Sequence, residues 1–341
     1  MAQELLIKMD SVKSSGMDWF YRMEALAKAV DNFVQVTFLC KSADDAGIQY
    51  LKSKDLSVMK YVDEADLIDI VKESSENQGG CSIIIDNKHR VSKLDKLCSE
   101  ACNKVIYMDE AASRSFKADM IINPLYGSQL LEYFVAPECE KILGTEYNLV
   151  REEFLEIPPI RINKFVDTIL VHLGETTSNN LTREFLAAIA DEEYDFKVVL
   201  DTNLVNREQI KREYKERNIK FISEEDICMV AGECDIAICG VNHFMYELAT
   251  LGIPMIGVML SKDRVKESQY LVRDGLIEIL GAAGIVATAD ILSALNRMAI
   301  NRDRREDIHD ALIREFRAWE YDNSKQPSTT HAAKAVIKLL K

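Results

Sequence analysis

Short apolar runs recur along the whole chain with stretches of helical period between them, and the rhythm plays twice. In the first half, segments 5–10, 34–40, 57–62, 81–86 and 105–109 read as strands, and a weaker one at 120–122 is stopped by Asn123 and Pro124. Helical spacing fills 19–32, 43–53, 63–76 and 91–102. In the second half the strands are 167–173, 197–201, 219–222, 235–239, 255–259 and 278–280. Helices follow at 180–190, 205–217, 225–232, 243–251, 266–274, 290–300 and 304–320. A short run that is apolar throughout belongs to a strand buried on both faces, and only a parallel sheet with crossover helices buries strands that way.

Pro158 and Pro159 interrupt the pattern between the halves, which puts a linker at 156–165. A total of 341 residues is too long for one comfortable core and suits two domains. The expected division is 1–156 and 165–325, with a last helix at 329–340, within 326–341, packing back onto the first domain. The fold class is therefore α/β, two Rossmann-like doubly wound sheets facing a cleft. Ligands of such sheets bind beyond the carboxyl ends of the strands, so the loops 11–19, 87–90, 174–180, 202–206, 240–244 and 260–265 are where function is expected.

Composition removes several classes. A net charge of −14, from 56 acidic and 42 basic side chains, gives no basic face for nucleic acid. Arg302, Arg304 and Arg305 alternate with Asp303, Glu306 and Asp307 and read as a solvated helix face; His309 and His331 are likewise expected in solvent. No apolar run reaches membrane-spanning length and the N-terminus lacks the pattern of a signal peptide, so a cytosolic protein is expected. The eight cysteines form no CxxC pair and have no histidine at zinc-ligand spacing. Reduced, buried thiols and no metal site are expected from them.

Three loops carry candidate chemistry. The first holds Asp10, Gly16, Asp18, Trp19 and Arg22, with Asp18 placed to cap the next helix. The segment 174–180, opening with Gly174, suits a loop that lets backbone amides approach a phosphate and an ordinary βα turn equally well. The third runs Gly240-Val241-Asn242-His243 into a helix. Asn242 is its candidate cap, and Glu247 one turn in is able to accept from ribose hydroxyls or simply to face the helix dipole. No Ser-His-Asp set, carboxylate pair or metal cluster is visible from spacing.

The segment Tyr107-Met-Asp109-Glu110-Ala-Ala-Ser-Arg114-Ser-Phe-Lys-Ala118-Asp119-Met-Ile-Ile-Asn123-Pro124, followed by Leu143-Gly144-Thr-Glu-Tyr147-Asn-Leu-Val-Arg151-Glu-Glu153-Phe154, resembles the UDP-sugar hydrolases of pseudaminic acid biosynthesis and related spore-coat polysaccharide proteins. Asp235-Ile-Ala-Ile and Tyr246-Glu247-Leu-Ala-Thr-Leu-Gly252-Ile-Pro254 extend the resemblance over about residues 5–280. It implies the two-domain glycosyltransferase-B-like fold, uridine diphosphate held near residues 242–247, and Glu247 on the ribose. Implied too is cleavage of the anomeric C–O bond with release of UDP, without metal or redox cofactor.

Departures fall on the chemistry. Asp10, Gly16 and Arg22 keep the family register, but Asp18 replaces a glycine and Trp19 the histidine that is held to activate water. An indole has no basic nitrogen. The family's Gly-Ser-Thr reads Asn242-His243-Phe244, its Asn-Gln pair reads Asp263-Arg264, and its Gly-Gly reads Gly174-Glu175. Asp10, Asp18, His89 and His243 are the candidate replacement bases. The catalytic candidates are Asp10, Asp18 and Trp19, and the substrate-binding candidates are Gly16, Arg22, Asn87, Gly174, Asn242, His243, Phe244 and Glu247. The expected partner is a UDP-sugar or a similar small anion, and the alternatives to a hydrolase are a non-catalytic binding module and a glycosyltransferase.

Overall fold

The computed structural model describes residues 4–9, 17–77, 79–86, 92–112, 115–174, 179–200, 204 and 206–341. The chain divides into two units, one of residues 1–151 and 326–341, the other of residues 152–325.

The first unit is a seven-stranded parallel sheet in the order β3-β2-β1-β4-β5-β6-β7. Its strands are β1 (Glu4–Met9), β2 (Gln35–Lys41), β3 (Ser57–Tyr61), β4 (Cys81–Asp86), β5 (Val105–Met108), β6 (Met120–Asn123) and β7 (Glu140–Leu143). Helices α1 (Asp18–Val30), α2 (Asp45–Ser53), α3 (Glu64–Glu76) and α4 (Ser92–Ala101) make the crossovers. Successive residues of a strand point to opposite faces, so Leu5 and Ile7 join one core with Phe20, Met23 and Leu26 of α1, whereas Leu6 joins another with Leu67 and Val71 of α3 and Leu94 of α4. Burial on both faces is what made these runs apolar throughout.

Strand β7 is not among the strands expected from the sequence. Its four residues, Glu-Lys-Ile-Leu, lie at the sheet edge, and only Ile142 is buried; an edge strand is shielded by charge rather than marked by hydrophobicity.

The second unit is a six-stranded parallel sheet in the order β10-β9-β8-β11-β12-β13. Its elements are α5 (Glu152–Glu156), β8 (Thr168–His172), α6 (Asn179–Ile189), β9 (Asp195–Val199), α7 (Arg207–Glu213), β10 (Ile219–Ile222), α8 (Ile227–Ala231), β11 (Ile236–Gly240), α9 (Phe244–Thr250), β12 (Met255–Met259), α10 (Val265–Arg273), β13 (Glu278–Ala282), α11 (Thr288–Ile300) and α12 (Arg302–Phe316). The chain passes from the first unit to the second between Arg151 and Glu152. The proline-containing stretch after it is held by the second unit, since the Ile160 N–H donates to Leu251 O at 2.9 Å.

The expected solvated helix face is not one at Arg305. That side chain is 1% exposed. Its guanidinium donates to Met298 O and Ala299 O at the end of α11, and to Asn163 O at 2.8 Å. A guanidinium has five donors, enough to satisfy the orphan carbonyls of a helix end and an adjacent strap at once. His309 is also tied down, its Nδ1 2.8 Å from Gly252 O, and His331 stacks on the Tyr147 ring at 4.5 Å.

A last helix, α13 (Ser328–Leu340), belongs to the first unit. Ala332, Ala333, Val336 and Ile337 pack in the core that holds α1. The Thr329 hydroxyl donates to Val150 O at 2.7 Å and accepts from Val150 N at 2.9 Å. Among the described residues no helix is long and apolar enough to cross a membrane. Of the cysteines, Cys102 and Cys228 are half-buried and the other six buried.

Candidate functional site

In a doubly wound sheet the chain leaves its first strand in one direction and later returns to build outward in the other, which leaves a gap above the carboxyl ends where the direction reverses. Here the reversal lies between β1 and β4 in the first unit and between β8 and β11 in the second. The two places are built differently.

In the first unit the place is filled by paired charge. Asp86 ends β4, and Arg22 comes from the second turn of α1. Arg22 Nε and Nη2 donate to the two Asp86 oxygens at 2.8 and 2.5 Å, a bidentate fork, and Nη1 donates to Glu110 at 2.5 Å. Arg22 and Asp86 are both 1% exposed. Burial opposes the charge of Arg22, but the facing carboxylates of Asp86 and Glu110 outweigh it and raise the guanidinium above its ordinary pKa. Trp19 lies one turn earlier, half-buried, with the guanidinium 4.6 Å from its ring centroid. The expected sugar-side cation is thus occupied by its own protein.

Asp18 is the first residue of α1, not its cap; Met17 holds the cap position and makes no side-chain cap bond. Within the first turn a carboxylate still gains from the helix dipole. Asp10, Gly16, Asn87 and His89 lie outside the described residues.

In the second unit the place is built from loops packed closely over glycine. Three loops converge, after β8, β11 and β12. A Cβ on Gly174 would stand 2.8 Å from Asn242 Nδ2 and 3.1 Å from Leu260 Cδ1. One on Gly240 would meet Leu260 Cδ1 at 2.5 Å and Leu173 O at 2.7 Å. Gly174 also has φ +71°, a conformation side chains disfavour. Only glycine allows these loops to close on one another.

Asn242 does not cap α9: the helix starts at Phe244, His243 holds the cap position, and no side-chain cap bond forms. The amide of Asn242 sits against Gly174 instead. Phe244 packs edge-on against His172 at 4.5 Å and near Phe154 at 6.1 Å, a core contact rather than a ligand-facing one. His172, the last residue of β8, brings Nε2 to 3.3 Å from Glu224. His243 is buried, and so is Glu247 at 1% exposure, so a ribose would reach that carboxylate only after local movement.

Beside Glu247, the hydroxyl of Tyr246 donates to Glu267, whose other oxygen accepts from Arg264 at 2.9 Å. These three groups are buried and brace α9 against α10. Leu260, Glu224 and Glu267 carried no signal in the sequence beyond standing in or near strand-end loops. Among the described residues no group of three His, Cys, Asp or Glu side chains is gathered as metal ligands would be.

The motifs behind the family resemblance are largely backbone staples. Asp235 accepts from Asp167 N, Thr168 N and Asn163 Nδ2. Asp119 accepts from Val105 N at 2.8 Å, and Asp109 from Ala112 N at 2.6 Å. Asn123 donates to the Tyr133 hydroxyl and accepts from Leu125 N, while the Arg151 guanidinium lies 4.1 Å over the Tyr21 ring.

No family model matches the sequence. No curated protein matches it either. Solved structures match along the whole chain. A UDP-glucosyltransferase from Polygonum tinctorium, capable of glucosylating indoxyl and 3,4-dichloroaniline, is 13% identical with a TM-score of 0.65, covering 100% of this chain and 99% of its own. MurG of Acinetobacter baumannii is 14% identical, TM-score 0.61, over 99% of each chain. The UDP-GlcNAc 2-epimerase from Neisseria meningitidis, solved with UDP-GlcNAc bound, is 12% identical, TM-score 0.60, over 99% of each chain. At these identities the likeness establishes the fold: two Rossmann-like units of the glycosyltransferase-B type.

Proposed function

We propose that this protein binds a nucleotide sugar, specifically a UDP-sugar, with the nucleotide at the strand ends of the second unit. The observation that carries the reading is the convergence of Gly174, Gly240, Asn242 and Leu260 above the reversal point between β8 and β11. Glycine at 174 and 240 lets these loops close together at the point where such sheets take their ligands, and the carboxylate of Glu247, one turn along, is of the kind that accepts from ribose hydroxyls. That three structural neighbours are by name MurG, a UDP-glucosyltransferase and a UDP-GlcNAc 2-epimerase supports the same ligand class.

If the bound sugar is cleaved, the bond broken is the anomeric C–O bond, with UDP leaving. Hydrolysis of the pseudaminic-acid type needs a group to take the proton of water, and Trp19 has none to offer. Asp18, the residue before Trp19 in the first turn of α1, is the candidate base. The packing of Trp19 over Arg22 favours a second reading, in which the sugar nucleotide is held without being hydrolysed.

Calorimetric titration with UDP and UDP-GlcNAc, run beside an assay for released UDP, tests both. Glu247→Gln keeps the shape of the side chain and should weaken UDP about tenfold, the value of one or two hydrogen bonds to a charged acceptor. Free sugar among the products identifies a hydrolase and a conjugate with an added acceptor a transferase. Binding without products leaves the binding module, and no binding by the wild type sinks the nucleotide-sugar reading.

A further inference from the structure

We infer that Asn242 selects the ligand of the second unit, its side-chain carbonyl accepting a hydrogen bond from an N–H or O–H group of the bound molecule. The inference rests on the nucleotide-sugar reading and narrows it: the ligand must present a hydrogen-bond donor above the β8–β11 reversal, which a bare phosphate does not.

Asn242 Oδ1 is buried and has no hydrogen-bond partner among the described residues; as at Glu247, a ligand reaches it only after local movement. Buried amide oxygens are satisfied in the great majority of folded proteins, so one left unmet calls for an explanation. A helix-capping role, the usual reason for asparagine in such a loop, does not apply, because His243 holds the cap position of α9 and no side-chain cap bond forms. The opposite end of the amide lies against a neighbouring loop. Its Nδ2 stands where a Cβ on Gly174 would be crowded at 2.8 Å, and Leu260 borders the same spot.

The amide is therefore seated by two other loops, at the place where the fold puts ligands, with its acceptor unspent. An acceptor at this place turns away unprotonated phosphate oxygens and admits hydroxyl or N–H groups. A nucleotide sugar carries both, on its base, ribose and sugar.

The test uses the full chain, three probes and one substitution. Wild type and Asn242→Ala are titrated with UDP-GlcNAc, UDP and pyrophosphate, and the thermal midpoint of each empty protein is recorded. The expected result is a loss of about five- to tenfold for UDP-GlcNAc, the fold-change of one hydrogen bond, with pyrophosphate affinity unchanged. A matching loss with UDP places the donor on the nucleotide; a loss confined to UDP-GlcNAc places it on the sugar, and both uphold the inference. Removing an unmet acceptor should also leave the midpoint of the empty protein equal or higher, a response that a structural role would not give.

Three results overturn the inference while leaving the nucleotide-sugar reading standing, because the wild type still binds UDP-GlcNAc. Equal affinity in wild type and variant means that the acceptor serves only solvent. A pyrophosphate loss as large as the UDP-GlcNAc loss means that the amide donates to phosphate. A fall in the midpoint together with affinity makes Asn242 structural. Wild-type protein that binds none of the probes overturns the inference and the nucleotide-sugar reading together.

Discussion

The reversal points of the two sheets share one topology and differ in every side chain that occupies them. Between β1 and β4 the protein has brought in a guanidinium and two carboxylates and satisfied them against each other, with an indole over the charge. Between β8 and β11 it has packed loops closely over glycine, put Gly174 in a conformation that side chains disfavour, and left an amide oxygen unmet among the described residues. The first arrangement consumes its polar groups in holding itself together; the second withholds one. Where a fold offers two equivalent places for a ligand, the state of polar satisfaction tells them apart when topology cannot.

Three substitutions break or sharpen that contrast. Arg22→Met should have the largest effect, because it removes the guanidinium that holds both oxygens of Asp86, 1% exposed. A loss of about 3–5 kcal/mol in urea unfolding is expected, with nucleotide affinity of the folded protein unchanged. If stability held while binding fell, Arg22 would be a ligand-facing cation after all and the contrast would fail. Gly174→Ala comes next. Forcing a side chain into φ +71° costs about 1–2 kcal/mol, and the added methyl displaces the Asn242 amide. Both stability and UDP-sugar affinity should drop, and combining Gly174→Ala with Asn242→Gly should recover part of the stability in a double-mutant cycle. Trp19→Leu should do least, removing a half-buried cation–π contact of about 0.5–1 kcal/mol. A thermal melt that moved far more would make the indole a core residue of the first unit rather than a cover.

The sheets were legible because both of their faces are buried, so Leu5, Leu6 and Ile7 had to be apolar in succession, and a run of that kind reads the same in any protein that buries a parallel strand. Strand β7 was not legible: Glu-Lys-Ile-Leu offers two apolar residues in four, whereas β3 at the opposite edge still shows Val58, Met59 and Tyr61. The candidate site was legible as a set of loops and not as a set of contacts. Glycine at 174 was visible, but its partner across the sheet, Asn242, looked like a helix cap because asparagine before a helix usually is one. Arg305 looked solvated because its neighbours in sequence are charged, whereas its geometry answers to carbonyls more than a hundred positions away and at the end of the preceding helix. Asp235 and Asp119 stood out in the sequence, yet they hold backbone N–H groups in place. Residues that brace a fold leave clearer motifs than residues that read a ligand, since the backbone they brace does not change when the ligand does.

Helix α13 has a consequence for how the protein is made. A ribosome finishes residues 1–151 long before it reaches 326–341, yet both belong to the same unit. At ~5–20 residues per second, the whole second unit is synthesised while the first waits on the order of ten seconds or more for its closing helix. Through that interval the ground on which Ala332, Val336 and Ile337 will lie stays open to water and to other nascent chains. The inner unit is free to fold first, and a stop codon anywhere within it would release a first unit that had never been complete.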